Sequence, residues 1–175
     1  MSRNGSSALI TTERLVIRRL LPGDVDELFA VYGDPESMRW VGDGQPLDRA
    51  ACEQWVGVTE RNVTTRGYGM SVMVDRASGE VVGFVGLVHP GGQELPELKY
   101  ALKRDQWGKG LATEAARAML AWGADRFGLT TIIATIAPEN DASRRILEKL
   151  GMTEVEPRLD DDGLPTLVFR WVAPG

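Results

Sequence analysis

The densest chemical signal in the sequence is the run Trp107-Gly108-Lys109-Gly110-Leu111-Ala112-Thr113-Glu114-Ala115, which follows the strand-like Tyr100-Ala101-Leu102 and leads into a helix-forming segment. A glycine has no Cβ atom to hold a ligand away from the backbone, and Ala112 is small for the same reason. The first turn of the helix behind it carries N–H groups without intrahelical partners and the positive end of the helix dipole. Gly108, Gly110, Ala112 and the backbone of Trp107, Leu111 and Thr113 therefore read as a cradle for an anion such as a pyrophosphate. Lys109 reads either as a solvated lysine or as a phosphate contact through its ammonium. The Trp107 ring is expected to pack on the sheet, leaving its backbone as the useful part.

Two familiar phosphate loops fail here. A nucleoside-triphosphate loop needs Gly-Lys-Ser/Thr with a glycine five positions before the second one, whereas Lys109 is followed by Gly110. The dinucleotide fingerprint needs a third glycine where Thr113 stands, and a parallel βαβ unit opening the sheet. The run instead resembles the acyl-coenzyme A cradle of the GNAT acetyltransferases, Gln/Arg-x-x-Gly-x-Gly/Ala, with Trp107 in place of the Gln/Arg. The Trp-Gly-x-Gly-x-Ala-Thr-Glu-Ala form is similar to the RimJ/RimL-type branch, associated with acetylating the α-amine of ribosomal proteins and of other amines. The resemblance extends from about Ile10 to Trp171, through Thr12-Glu13-Arg14-Leu15 near the start and Asn140-Asp141-Ala142-Ser143-Arg144-Arg145 near the end.

That resemblance implies acetyl-coenzyme A as donor, no metal, and direct transfer of an acetyl group to a primary amine in a ternary complex. The acceptor would be a protein or peptide α-amine or a small-molecule amine. Backbone groups of Tyr100 and Leu102 would pair with the pantetheine arm like an added strand, one N–H forming an oxyanion hole. Asn140 would touch the pantetheine, although from its position it could equally be a helix N-cap. Ser143 would hydrogen-bond or protonate the departing thiolate. The tyrosine acid of other relatives is absent, since Ile146 and Leu147 stand in that region.

An attacking amine must first lose a proton, and in this superfamily a carboxylate does that work, often through water. Glu97 matches the acidic position in the strand before the cradle, with a solvated strand charge as its ordinary reading. Glu94 and Asp160-Asp161-Asp162 are weaker candidates, the last more simply an exposed turn. His89 reads as a loop histidine and Cys52 as a small buried residue, so no acyl-cysteine is expected. Arg144 and Arg145 are candidate phosphate contacts. A homodimer follows only by analogy. The rival from another class is a non-catalytic acyl-coenzyme A sensor; a nucleotide-binding regulator ranks below it because both phosphate loops fail.

The elements that would position these residues run β, α, α, β, β, β, α, β, α, β, β. Alternation at Leu15 and Ile17 marks a first strand over Thr12–Leu20, and helices follow at Asp24–Tyr32 and about Leu47–Asn62, the second with Ala51, Trp55 and Val58 inward. Strands are expected at Tyr68–Asp75, Val81–Val88 and Glu97–Leu102, then a helix at Thr113–Phe127 and a strand at Thr131–Ile136. A helix over Asn140–Leu150 and strands near Thr153–Arg158 and Thr166–Trp171 close the chain. The expectation is an α/β (α+β) GNAT fold: a twisted, mixed, mostly antiparallel sheet with about four helices. Residues 1–8 form a disordered tail and residues 9–173 one domain, whose loops at Gly33–Pro46 and His89–Pro96 shape the acceptor pocket.

With 175 residues, 43% hydrophobic and 26% charged, the chain has the composition of a globular domain. Its one cysteine excludes an intramolecular disulfide, its one histidine excludes any two-histidine mechanism, and together they leave no zinc-ligand cluster. The net charge of -5 disfavours nucleic acid as a partner. The absence of a long apolar run or signal peptide predicts a soluble, cytoplasmic protein.

Overall fold

A computed structural model describes residues 8–41 and 44–175. Eight strands form one sheet: β1 (Ala8–Thr11), β2 (Leu15–Arg19), β3 (Met70–Asp75), β4 (Val81–Val88), β5 (Glu97–Leu102), β6 (Thr131–Ile136), β7 (Thr153–Leu159) and β8 (Pro165–Val172). Their order is β1-β2-β3-β4-β5-β6-β8-β7, antiparallel throughout except at β5–β6. The helices are α1 (Val25–Tyr32), the single turn α2 (Pro35–Met38), α3 (Arg49–Arg66), α4 (Leu111–Phe127) and α5 (Asp141–Lys149). All but one residue of the expected tail lie outside the described residues, and that one, Ala8, opens a strand.

Both faces of the sheet are covered, which is why β3 and β4 are nearly continuous apolar runs rather than alternating ones. On one face Leu15, Ile17, Met73, Val85 and Leu98 pack with Ala115 and Met119 of α4 and Leu147 of α5. On the other, Val72, Val74 and Phe84 pack with Leu28, Val31 and Tyr32 of α1 and Cys52 and Val56 of α3. The inward face of α3 is therefore Cys52, Val56 and Thr59, one position on from the expected Ala51-Trp55-Val58 stripe, and Val58 is 42% exposed. A weakly amphipathic sequence left two adjacent stripes with similar apolar content, and docking on Tyr32 and Phe84 selected between them.

The entry to α1 is fixed by a buried pair. Arg18 Nη1 and Nη2 each donate to Asp24 at 2.9 Å, and Asp24 also accepts from Leu21 N. Farther along the sheet, β5 and β6 pair only at Glu97–Ile133 and then diverge, because β6 turns to pair with β8 over its whole length.

Candidate active site

The cradle forms where β5 passes through a single 3-10 turn, Arg104–Gln106, into α4. Gly108 and Gly110 have φ of 76° and 79°, a left-handed backbone that glycine adopts without strain. Nothing in the protein stands within 4 Å of a Cβ built on Gly108, so backbone conformation, rather than crowding by the chain, calls for glycine there. The backbone N–H groups of residues 108–113 have no partner among the described residues, and Gly110 caps α4 without a side-chain acceptor. This is a row of free donors on a positive helix end. Trp107 is 47% exposed instead of packed on the sheet, and its indole Nε1 donates to Leu102 O at 3.1 Å. Lys109 turns its ammonium to Gln106 Oε1 at 3.4 Å and lines a separate groove with Arg14 and Arg76.

The divergence of β5 from β6 leaves backbone groups unpaired. Lys103 N donates across to Val82 O on β4, whereas Pro96 O accepts from Ile133 N on the β6 side. Strand alternation therefore turns the backbone of Leu98, Tyr100 and Leu102 toward the gap. The Leu102 carbonyl already accepts from Trp107; those of Leu98 and Tyr100 are open to an added strand.

Across the gap, α5 begins at Asn140, whose Oδ1 accepts from Ser143 N at 3.1 Å. Asn140 is thus an N-cap, the ordinary reading of its position, while its Nδ2 has no partner among the described residues. The Tyr100 hydroxyl donates to Ser143 Oγ at 3.2 Å, joining β5 to α5. Burial raises the Tyr100 pKa, opposed by its bond to Ser143, so the phenol remains a donor across the physiological range. Arg144 bonds Glu154 at 2.7 Å and lies over the Phe169 ring, facing away from the cradle. Arg145 and Lys149 instead reach the cradle's cleft.

At the apex of the gap, Glu97 is 2% exposed and not a solvated strand charge. Its carboxylate accepts from Thr135 Oγ1 at 2.7 Å and from Gln93 Nε2 at 3.3 Å, and pairs with Lys99 Nζ at 2.7 Å. Two cavities meet at Tyr100 and Ser143, and the smaller of them reaches Lys99 and Thr135, the partners of Glu97, which itself lines neither. One, of about 670 Å³, runs along Gly108, Gly110, Ala112, Thr113 and Arg145. The other, of about 400 Å³, lies between Leu98, Lys99, Thr135, Ile136 and Leu164. They share Trp40, Val41, Tyr100, Glu139, Asn140 and Ser143.

Residues 14–153 match the acetyltransferase (GNAT) domain family. The chain is a GNAT acetyltransferase. The uncharacterized protein YkkB of Bacillus subtilis (strain 168) is 34% identical over 148 residues, 82% of this chain and 84% of that one. The solved acetyltransferase of Agrobacterium tumefaciens str. C58 superposes with a TM-score of 0.79 at 28% identity, covering 94% of each chain. RimL, a ribosomal L7/L12 α-N-protein acetyltransferase solved with coenzyme A, shares the fold at 14% identity, with a TM-score of 0.78 over 95% of this chain and 98% of that one.

In this acetyltransferase the remaining candidates fall outside the meeting point. Glu94 is exposed and lines neither cavity. Asp160 reaches the smaller cavity, but its Oδ1 accepts from Asp162 N and Leu164 N and holds the β7–β8 turn together. His89 is tied at both ring nitrogens, to the Tyr68 hydroxyl and Gln93 O, each at 2.8 Å. Cys52 is buried under α3, where desolvation pushes its thiol pKa up. No group of His, Cys, Asp or Glu among the described residues is arranged to hold a metal ion, and no helix is long and apolar enough to cross a membrane. Of the two loops expected to shape the acceptor pocket, residues 33–46 contribute Trp40 and Val41 to both cavities and residues 89–96 contribute to neither. The Tyr100 hydroxyl and Glu139 escaped the sequence reading. Only the meeting of β5 with α5 makes the first visible, and a carboxylate just ahead of a helix cap carries no signal of its own.

Proposed function

We propose that this acetyltransferase moves an acetyl group from acetyl-coenzyme A directly to a primary amine bound with it. The observation that supports this reading is the continuity of the site: a row of free N–H donors opens into a gap with unpaired strand backbone, and the gap ends at a buried carboxylate. The N–H groups of residues 108–113 bind the pyrophosphate, with Arg145 and Lys149 at the cleft edge for further phosphate charge. Backbone groups of Leu98 and Tyr100 hold the pantetheine arm, and the Nδ2 of Asn140 is available to it. RimL, solved with coenzyme A, shares this fold.

The donor supplies a thioester, whose carbonyl carbon the amine attacks. A lysine-like amine, with a pKa near 10.4, is mostly protonated at neutral pH, so a proton acceptor is needed. Glu97 takes that proton through a water held at Thr135 and Lys99, because its own carboxylate sits one hydrogen bond behind the cavity wall. As the new N–C bond forms and the C–S bond breaks, the electron pair passes to sulfur. Ser143 O–H donates to that sulfur, its oxygen meanwhile accepting from Tyr100.

Calorimetric titration with acetyl-coenzyme A should give saturable binding that Gly110→Asp abolishes, and coenzyme A release should then be detected with a panel of amines. Glu97→Gln should lower kcat about 100-fold or more while leaving donor affinity in place. Tight donor binding with no turnover on any amine, and no effect of Glu97→Gln, would instead make the protein an acyl-coenzyme A sensor.

A further inference from the structure

The turn between β1 and β2 sits against the cradle and binds no part of the cavities described above, yet it is bonded to the cradle at several points. Arg14 Nη1 donates to Lys109 O at 2.8 Å and Arg14 Nε to Glu114 Oε1 at 2.7 Å. The other Glu114 oxygen accepts from Arg14 N at 2.9 Å and Thr12 Oγ1 at 2.6 Å. Arg76 Nη1 holds the Thr12 carbonyl at 2.8 Å. Burial opposes the charge on Glu114, but these bonds outweigh it and hold its carboxyl below the usual range, so it is an anion at neutral pH.

The peptide joining Lys109 to Gly110 is planar and trans, so its C=O and N–H point in opposite directions. Arg14 and Lys109 line one groove and Gly110 lines the cleft, the two hollows sharing Gln106 and Leu111. Fixing the Lys109 carbonyl on Arg14 therefore aims the Gly110 N–H into the cleft. Gly110, with φ of 79°, forms the C-terminal side of this peptide, so its rotation meets no Cβ there. A flip would turn a carbonyl toward a bound anion.

We propose that Arg14 is a positioning residue for the donor, a guanidinium clamp, anchored on Glu114, that holds the Lys109–Gly110 peptide with its N–H facing the pyrophosphate. The inference rests on the acetyl-coenzyme A reading above. Arginine is suited to it because one planar fork holds a carbonyl and a carboxylate together, which a lysine ammonium cannot do in the same geometry. Glu114, one turn into α4, would otherwise repel phosphate, and Arg14 neutralises it at the same time.

The test compares Arg14→Gln and Arg14→Lys with the unaltered protein by calorimetry, saturation kinetics and amide NMR of the ligand-free protein. Both variants should weaken acetyl-coenzyme A binding about tenfold or more, with kcat at saturating donor unchanged. Without donor, both should broaden the Gly110 amide resonance by exchange. Full affinity in Arg14→Lys would show that charge alone suffices and overturn the clamp, as would a Gly110 amide as sharp in Arg14→Gln as in the unaltered protein. If the unaltered protein binds no acetyl-coenzyme A, the donor reading fails, and the Gly110 amide alone then decides for or against the clamp.

Discussion

In the proposed mechanism Ser143 takes its role from its partner Tyr100. Because Tyr100 donates to Ser143 Oγ, the serine's own proton is left to point elsewhere, and both side chains border the two cavities. Under the proposed mechanism Tyr100→Phe should keep the ring in place and lower kcat several-fold with little change in KM. Ser143→Ala should lower it further, and the double variant should be no slower than Ser143→Ala, because the tyrosine acts through the serine. Steady-state kinetics on the three variants checks this; additive losses would separate the two hydroxyls. The serine was legible as a candidate from its place in the Asn140–Ser143 motif. Tyr100 was legible only as a strand residue whose backbone mattered, because the partner of its hydroxyl is 43 positions away.

Among the elements, the glycine turn and α4 were the most legible, since a strand, two glycines and a helix start are all local signals. Their boundaries follow from local chemistry: Gly110 begins α4 and Gly128 ends it, both in left-handed conformation. The α3 helix shows the opposite case. Its N-cap is clear, Asp48 Oδ1 accepting from Ala51 N at 2.8 Å, yet its buried face was misplaced by one residue because α1 and the sheet chose it. Asp48→Ala should cost about 1 kcal/mol and lower Tm by about 2–4 °C; a thermal melt followed by circular dichroism measures it. Donor affinity should not change, since Asp48 lines neither cavity.

At the scale of the whole molecule, separate segments are tied to the site by exposed ion pairs. Arg104 bonds Asp34, the N-cap of α2, and so joins the turn before the cradle to the segment carrying Trp40. Arg14 joins the β1–β2 turn to α4. The Arg104 bond lowers the Asp34 pKa, and the Thr12 and Arg14 bonds overcome burial to lower that of Glu114. A carboxylate whose pKa is depressed by folding contributes stability that is fully present above its unfolded value, about 3.9 for Asp and 4.3 for Glu. That contribution is lost as pH falls through the folded value. Tm should therefore fall below about pH 4, and less steeply in Glu114→Gln, which has no such proton to take up. Scanning calorimetry from pH 7 to about pH 3 would measure the difference.

The sequence by itself determined the family, the order of strands and helices from β2 onward apart from the single turn α2, and the glycine turn that opens α4. Each depends on residues near one another along the chain: glycine conformation, helix ends and apolar periodicity. Only the tertiary structure decided which face α3 buries, that Arg145 and not Arg144 reaches the cleft, and that Glu97 lies buried behind Thr135 and Lys99. It also decided that Tyr100 meets Ser143 and that Arg14 grips the cradle. The physical reason is the same in each case. A side chain's partner depends on how elements distant in sequence dock, and docking is set by the summed packing of both faces of the sheet, which no local pattern encodes.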